Sequence, residues 1–334
     1  MFTGNITDEW DFILTEAKTF GIAALGVLSL DEIPKKQVEK YKAWLDGGFS
    51  ADMDYLKNYQ EVRFNPKNIL EDSTTVICAG FYYGNGAINE GIWKNISSYA
   101  RGRDYHKTVK KILNRLAGVI VQKYPSAKFR VVVDSAPVME RTLFVLAGLG
   151  SIGKNGMLIV EGAGSKLVLG EIFISGLPEN MNGVNIKTAE MEAEAAVNVE
   201  AGKVKDEFSL CSDCSKCIKA CPGGALNGDG TLDSNRCLSY YTIEYKGDDA
   251  IDYKGEVSAF FGCDICNDVC PHNRPHNNIE KTSFLEPPLN SIIADTPHDL
   301  LLMTEDNINK KLEGTALHRT GARLLKRNIN NLLK

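Results

Sequence analysis

Apolar and polar positions follow two different periods along the first half of the chain, and these periods predict helices and strands. Between Asp104 and Tyr124, apolar side chains return every three or four positions, and Asp104 is a candidate N-cap. Apolar runs rich in β-branched residues, such as 129–134, are typical of strands. The predicted helices are 8–20, 30–48 and 104–124, and the predicted strands are 22–30, 74–83, 129–134, 157–160 and 166–174. Strands separated by helices favour a mixed α/β domain of two or three layers.

Changes in composition divide the chain into four segments. Residues 181–207 are rich in Ala, Glu, Asn and Lys, which is typical of a linker or an exposed insertion with a short helix. A cysteine-rich stretch follows, and the chain ends in a helical pattern of Leu, Ile and basic residues. The predicted segments are an α/β domain over 1–180, a linker or insertion over 181–207, a cysteine-rich domain over 208–280 and a helical, basic tail over 281–334.

Charge and hydropathy exclude some classes of protein. The 38 basic and 43 acidic residues give a net charge of −5, so general coating by nucleic acid is not expected. No apolar run approaches the about 18 residues of a membrane span, and the N-terminus lacks the pattern of a secretory leader. We therefore expect a cytoplasmic protein without membrane contact. The tail is locally basic, and on charge alone it is either a solvated helix or a contact for nucleic acid.

Eight of the nine cysteines lie between positions 211 and 270: seven form two runs, and Cys237 stands alone between the runs. The first run has the spacing C-x2-C-x2-C-x3-C-P, which in bacterial ferredoxins binds iron–sulfur cubanes, the fourth cysteine binding the other cluster. The second run is shorter, because Phe260 stands where a symmetric ferredoxin has a cysteine. The predicted ligand sets are Cys211, Cys214, Cys217 and Cys270 for cluster 1, and Cys221, Cys237, Cys263 and Cys266 for cluster 2. Four-cysteine zinc sites are the alternative, but the Cys-Pro ending of both runs favours two [4Fe-4S] clusters.

Weaker patterns leave their interpretation open. The segment 148–153 matches G-x-G-x-x-G, but a helix is predicted before it instead of a strand, so a glycine-rich turn is favoured over dinucleotide binding. Asp134 ends a strand, where an acid either faces a ligand cleft or caps the following helix. His106 lies in a basic segment that is either a solvated helix face or a phosphate contact. His272 and His276 are predicted to be surface residues, and Cys78 a buried, inert thiol.

A set of short motifs accompanies the cysteine runs. They are RFNP (63–66), YARGRDYHK (99–107), VDSAPVMER (133–141), AGLGSIGKN (147–155), GSKLVLGE (164–171), RCLSYYTIE (236–244) and GTALHRTGARLLKRN (314–328). In this combination the chain resembles the epoxyqueuosine reductases, the cobalamin-dependent iron–sulfur enzymes of queuosine tRNA modification. The resemblance implies an N-terminal α/β (α+β) cobalamin-binding domain similar to that of reductive dehalogenases, followed by a ferredoxin-like domain with two [4Fe-4S] clusters and a short helical tail.

The same resemblance implies site residues and a reaction. The Asp of the VD(S/T) motif is the family's proton donor and falls on Asp134, whose pKa we therefore expect to be raised by burial. Two electrons from the clusters, passed through cobalamin, and two protons would remove the epoxide oxygen from a tRNA anticodon base. The implied cobalamin contacts are Arg63, Ser97, Asp134, Leu158, Leu169, Ser239, Asp264 and Ile265, and the expected tRNA contacts are Lys246, Arg319, Arg323, Lys326 and Arg327.

The expected partners are tRNA with a queuosine-type anticodon base and an electron donor such as ferredoxin or flavodoxin, and the protein is expected to act as a monomer. Two departures from the family keep other functions open: Ser151 stands where the family often has Trp, and the chain lacks the helical-repeat domain of some members. One alternative is a cobalamin and iron–sulfur reductase of a small, dehalogenase-type substrate. The other is an electron-transfer protein that reactivates a corrinoid partner.

Overall fold

The chain combines a sheet-centred N-terminal part with a cysteine-rich part that is closed by the C-terminal helices. Within the described residues, no helix has the length and apolar character that crossing a membrane requires. The computed structural model describes residues 6–84, 91–178, 181, 186–189, 197–198, 208–247, 253–274 and 294–334.

A six-stranded sheet is the centre of the N-terminal part. The strands of the described chain are β1 (Ala24–Ser29), β2 (Ser73–Tyr82), β3 (Lys128–Val132), β4 (Ser151–Ile152), β5 (Leu158–Ile159), β6 (Leu167–Ser175), β7 (Ile186–Ala189) and β8 (Val197–Asn198). Six of them form the sheet in the order β3-β6-β2-β1-β7-β8, and β4 pairs with β5 in a separate hairpin. All of these ladders are antiparallel, so the domain is of the α+β type and not a parallel, doubly wound sheet.

Helices cover both faces of this sheet, which explains why its central strands are apolar on both faces. Along β2, Thr74 alone is exposed. The helices of the described chain are α1 (Ile6–Thr19), α2 (Lys35–Asp46), α3 (Gln60–Phe64), α4 (Tyr105–Lys123), α5 (Glu140–Leu146), α6 (Lys216–Ala220), α7 (Ile265–Asp268), α8 (Pro297–Leu302), α9 (Glu305–Leu312) and α10 (Gly321–Leu332). One face of the sheet packs on α1 and α4, and the other face packs on α5 and the segment that follows it.

Most of the expected elements are confirmed, including α1, α2, α4 and the five predicted strands. Asp104 caps α4 through a hydrogen bond from the amide of His106. The segment 148–153 follows α5, not a strand, and the sheet is antiparallel, so the glycine-rich turn is the correct interpretation. The expected linker over 181–207 is wrong in part, because β7 within it pairs with β1 and extends the sheet. The middle of that segment, where a short helix was expected, lies outside the described residues.

The C-terminal helices pack on the cysteine-rich part through a separate hydrophobic core. This core joins α8, α9 and α10 to the segment 92–100 and to Phe260 and Phe261. Phe260 is fully buried there, which explains why an apolar side chain replaces the cysteine of a symmetric ferredoxin at this position. The expected helical tail is thus confirmed over the described residues 294–334, and its role is to hold the cysteine-rich part against the N-terminal part.

Candidate active site

A cavity of about 660 Å³ lies between the sheet-centred part and the cysteine-rich part. Asp134, His106 and Glu140 line it from the N-terminal part, and the backbone segment 230–232 lines it from the cysteine-rich part. Helix α2 fixes this second wall, because Trp44 Nε1 donates to the carbonyl of Leu232 at 2.7 Å. Both parts of the chain therefore contribute to one cavity.

Asp134 reaches the cavity because the chain turns sharply after β3. Its φ of +55° is in the left-handed region that non-glycine residues rarely occupy. The turn is held by Glu140, the first residue of α5, whose Oε1 accepts a hydrogen bond from the Asp134 amide at 2.9 Å. Strained positions of this kind are found at functional sites. In this turn, the strained backbone directs the Asp134 carboxylate into the cavity.

Two adjacent residues at the start of α4 bind the Asp134 carboxylate. Tyr105 donates its hydroxyl to Oδ2 at 2.7 Å, and His106 Nε2 lies 3.1 Å from the same oxygen. The other ring nitrogen of His106, Nδ1, lies 2.7 Å from Oδ1 of Asp104. The imidazole is therefore held between two carboxylates, in the line Asp104–His106–Asp134.

This geometry places the proton on His106 and not on Asp134. The hydrogen bond from His106 lowers the pKa of Asp134, more than burial of the carboxyl raises it. Burial alone lowers the pKa of His106, but the hydrogen bonds to Asp104 and Asp134 outweigh it and raise that pKa to about 9. The expectation of a raised pKa for Asp134 is wrong. At neutral pH the site holds a protonated imidazole bonded to a carboxylate.

Among the eight clustered cysteines, the thiols that influence one another's pKa belong to the same predicted set. For Cys217 and Cys270, burial is the largest cause of a raised pKa, and backbone hydrogen bonds oppose it. The neighbouring thiolates that raise it further belong to the same set, namely Cys211 and Cys270 for Cys217, and Cys211 and Cys214 for Cys270. In the second set, burial and the neighbouring thiolates raise the pKa of Cys263 to about 12 and that of Cys266 still further, and those neighbours include Cys221 and Cys237. Partly buried thiols grouped in this way are chemically suited to clusters, in which iron replaces the proton of each thiol.

Backbone amides point at one thiol of each set. The amide of Lys154 lies 3.5 Å from Cys211 Sγ, and the amide of Ala225 lies 3.3 Å from Cys221 Sγ. Such N–H···S bonds stabilise cluster sulfurs and tune cluster potentials. Within the described ranges, no group of three or more His, Cys, Asp or Glu side chains is arranged to hold a single metal ion. Cys78 is fully buried in the sheet core, as predicted, and burial raises its pKa far above the usual value.

The two sets differ in their surroundings. Exposed residues lie beside the first set, among them Asp213, Lys216 and Lys219. The second set lies against buried side chains, including Leu238 and Ala259. The first set is therefore the one closer to solvent.

Of the implied cobalamin contacts, Arg63 and Asp134 line the cavity. Arg63 is only 8% exposed, its guanidinium lies 5.3 Å from the centre of the Tyr41 ring, and its Nε finds no hydrogen-bond partner among the described residues. A buried donor without a partner costs free energy unless a ligand satisfies it. Arg63 is thus a side chain prepared for a ligand.

The other implied cobalamin contacts do not line this cavity. Ser97 donates its hydroxyl to the Asp264 carboxylate, which also accepts from the Ser98 amide at 2.6 Å, so these side chains satisfy each other. Leu158 is buried in the sheet core and Leu169 packs against it, so neither side chain is directed to the cavity. Ser239 and Ile265 lie next to the second cysteine set in sequence.

The structure corrects two of the expected tRNA contacts in the tail. Arg327 is 8% exposed and donates to the carbonyls of Tyr241, Tyr245 and Gly247, so it is committed to packing. Lys326 donates to the carbonyls of Leu301 and Met303. The buried Arg327 is therefore not available for phosphate, and the half-buried Lys326 is already bonded within the protein.

The remaining basic residues are placed differently. Arg319 lines the cavity and pairs with Glu244 at 2.7 Å, while Arg323 is exposed. Lys246 donates to the carbonyl of Ile243 at 3.1 Å. His272 is half-buried and bonded to the carbonyl of Leu210 at 2.8 Å, so it is not the surface residue that was expected, and His276 lies outside the described residues.

Several residues of the site are not predicted from the sequence to belong to it. His106 was considered only for a helix face or a phosphate, although Asp104, two positions earlier, was already recognised as the cap of the same helix. Glu140 and the two tyrosines Tyr55 and Tyr59 also line the cavity. Tyr59 is 66% exposed and Tyr55 is 49% exposed, and no periodicity distinguishes such aromatic residues from core residues.

Comparison with known proteins agrees with this arrangement. Residues 63–135 match the family described as "Epoxyqueuosine reductase QueG, DUF1730", and residues 210–273 match the "4Fe-4S double cluster binding domain". The epoxyqueuosine reductase of Francisella cf. novicida is 31% identical over 94% of this chain and 84% of its own length. That of Cyclobacterium marinum is 32% identical over 89% of this chain and 88% of its own.

Solved structures show the same fold. The epoxyqueuosine reductase of Streptococcus thermophilus superposes with a TM-score of 0.74 at 27% identity, over 99% of this chain and 81% of the other. An epoxyqueuosine reductase solved with an epoxyqueuosine-modified tRNA stem loop has a TM-score of 0.72 at 20% identity, over 98% of this chain and 82% of the other. By sequence, by fold and by its double-cluster domain, this chain belongs to the epoxyqueuosine reductase family.

Proposed function

We propose that the protein reduces epoxyqueuosine to queuosine in the anticodon loop of tRNA. The observation that carries the proposal is the protonated His106–Asp134 pair in a cavity whose other wall comes from the double-cluster domain. Removal of an epoxide oxygen needs electrons and protons at one place, and this cavity is bordered by both the proton site and the cysteine-rich part. The two cysteine sets are suited to deliver electrons one at a time.

We infer that the cavity also holds cobalamin. The residues fit such a group, because the cavity is lined by aromatic side chains and contains the buried Arg63 Nε, which finds no partner among the described residues. Arg63 and the wall residues Tyr41 and Trp44 would hold it, with Asp134 facing it. When bound, cobalamin supplies a low-valent cobalt that can take up electrons from the clusters and reduce a carbon–oxygen bond.

The chain's own residues control the proton. His106 holds it, since its two carboxylate partners favour the charged imidazole, and Asp134 presents it to the departing oxygen. Tyr105 keeps its own proton, because burial and the Asp134 charge raise its pKa, and it fixes the carboxylate by donating to it. Proton transfer by such a positioned group contributes about 10²- to 10⁴-fold to a rate.

The cavity mouth is suited to an unpaired RNA base. Tyr55 and Tyr59 offer exposed rings there, and Arg319 places a cation on the same rim. Bases in RNA loops can turn out of the strand and stack on aromatic side chains. Arg323, on the exposed face of α10, is the other candidate for a phosphate contact.

Electrons would enter at the first cysteine set. Lys216 and Lys219, both exposed, lie on either side of Cys217 in α6. A small acidic electron carrier such as a ferredoxin or flavodoxin complements these charges. The second set, against buried side chains, would then pass electrons toward the cavity.

The test is anaerobic turnover of tRNA that carries epoxyqueuosine, with a low-potential reductant, with and without cobalamin. We expect digested nucleosides to lose one oxygen by mass only when cobalamin is present. Asp134→Asn should retain iron and cobalamin but lose about 10²-fold or more in rate, and Asp31→Asn, the same change at an exposed surface ion pair, should turn over normally.

Other outcomes would identify another function. Bound cobalamin and full clusters without conversion of the tRNA would favour a reductase of a small substrate. Full clusters without retention of cobalamin would favour an electron-transfer protein that reactivates a partner's corrinoid.

A further inference from the structure

The proposed reaction consumes two protons, whereas the His106–Asp134 pair carries one. Two electrons enter, both bonds from the epoxide oxygen to carbon break, a carbon–carbon double bond forms, and the oxygen leaves as water with two new O–H bonds. The first proton is accounted for by the imidazole. A second donor must therefore reach the same oxygen.

Among the described residues that line the cavity, Glu140 is the acid besides Asp134. Its carboxyl lines the same cavity as His106 and Asp134, and its Oε1 accepts the Asp134 amide at 2.9 Å. It is tied to the loop that carries Asp134, so the two carboxyls move together. Because it is the first residue of α5, its own backbone position is fixed by that helix.

We propose that Glu140 is the second proton donor of the reaction. The His106–Asp134 pair gives its proton as the first carbon–oxygen bond breaks. The oxygen then leaves the second carbon with the bonding electron pair, and Glu140 protonates it to water. This inference rests on the proposed function, and it gives a role to a carboxyl that the family resemblance did not single out.

The surroundings of Glu140 explain why it can hold a proton at neutral pH. Desolvation first, and then the negative charge of Asp134, raise its pKa to about 7, although the cations of Arg141 and His106 oppose this. From the sheet, Glu171 of β6 is the other acid near it. Burial and the charges of Glu140 and Asp134 raise the pKa of Glu171 well above the usual value, so Glu171 is neutral when Glu140 titrates.

Glu171 supplies a matched control. It is 0% exposed, both of its carboxyl oxygens lack a hydrogen-bond partner among the described residues, and it lies opposite Cys78 in the sheet. It does not line the cavity. Replacing it by Gln therefore makes the same chemical change as Glu140→Gln, in the same interior, without removing an acid from the cavity.

The experiment compares rate–pH profiles of wild type, Glu140→Gln and Glu171→Gln in protein loaded with clusters and cobalamin. In wild type, the rate should fall as pH rises through about 7, where Glu140 loses its proton. Glu140→Gln keeps an oxygen for the Asp134 amide, so iron content and tRNA affinity should be unchanged. Its rate should fall about 10²-fold or more below pH 7, and the titration near pH 7 should vanish. Glu171→Gln should keep the wild-type profile.

A merely structural role for Glu140 gives a different result. In that case Glu140→Gln would retain the titration near pH 7, and this would overturn the proposal. If Glu140→Gln loses iron or folds poorly, Glu140→Asp is the decisive variant. Because it keeps a carboxyl, it should be active, and its rate should still change with pH near 7. An active Glu140→Asp variant without that pH dependence would overturn the proposal. Failure of wild type to convert the tRNA at all would instead contradict the proposed function.

Discussion

The proton site, which lines the cavity, and the cysteine sets, which lie in the cysteine-rich part, are stabilised in different ways. In the proton site, the chain itself satisfies each ionised group, since Asp134 and His106 are bonded to each other and to Tyr105 and Asp104. In the cysteine sets, burial and neighbouring thiolates oppose ionisation, as the raised pKa of Cys266 shows. Thiolates are the form that binds iron.

The difference indicates which part depends on its cofactor. The proton site is complete without a metal, because each of its charged groups is hydrogen-bonded within the chain. The cysteine sets bring thiolates together at a free-energy cost that the chain does not offset and that iron does. We therefore expect the cysteine-rich part to lose stability with its clusters, while the His106–Asp134 pair remains assembled.

The largest expected effect comes from removing a buried cluster ligand. Cys266→Ala should lose the iron of the second cluster and abolish turnover, and it should lower the free energy of unfolding by more than about 4 kcal/mol, as loss of a metal centre can. Iron analysis and thermal denaturation measure both. Cys78→Ala, the same change at a fully buried cysteine outside the sets, should keep its iron. A Cys266→Ala protein with full iron and normal stability would contradict the claim that the cysteine-rich part depends on its clusters and the proton site does not.

The sequence can predict the cluster ligands because their spacing is local. Cys211, Cys214 and Cys217 lie within seven positions of one another, and a spacing that short fixes which thiols can meet. The same holds for α4, where the apolar period and the Asp104 cap lie in one continuous segment. Features carried by neighbours in the sequence are the ones that a sequence pattern can predict.

The proton site could not be predicted in the same way. Asp134 and His106 are 28 positions apart, and they meet only because α4 begins where β3 ends in space. The direction of the Asp134 pKa depends on that contact, so the expectation from burial alone had the wrong sign. Likewise, nothing in the composition of the tail distinguishes the exposed Arg323 from the buried Arg327.

A smaller effect is expected from Asp104→Asn, which weakens the proton site but leaves its shape. Folding raises the pKa of His106 from 6.5 to about 9, so protonation stabilises the protein fully below pH 6.5, and this stabilisation is lost as pH rises to about 9. Removing the Asp104 charge should lower the His106 pKa by at least about one unit. In this variant, thermal stability and activity should therefore begin to fall at a lower pH than in wild type.

Titration of the His106 ring by NMR measures this change directly. Asp31→Asn serves as the control, because Asp31 pairs with Lys67 on the surface and has no contact with His106 in the described structure. An unchanged His106 titration in Asp104→Asn would show that the line of three groups does not act as a unit.

The smallest expected effect comes from substitutions in the tail, which packs against both the N-terminal part and the cysteine-rich part. Arg323→Gln removes one exposed charge, so tRNA affinity should weaken a few-fold and the slope of log affinity against log salt should decrease by about 1. Arg327→Gln removes a buried donor that binds the 241–247 backbone, so it should leave this slope unchanged and lower the free energy of unfolding by about 1–3 kcal/mol. Binding measured at several salt concentrations, together with thermal denaturation, separates the two arginines. If Arg327→Gln instead reduced the salt slope, then Arg327 would contact phosphate and the tail would belong to the substrate side of the cavity.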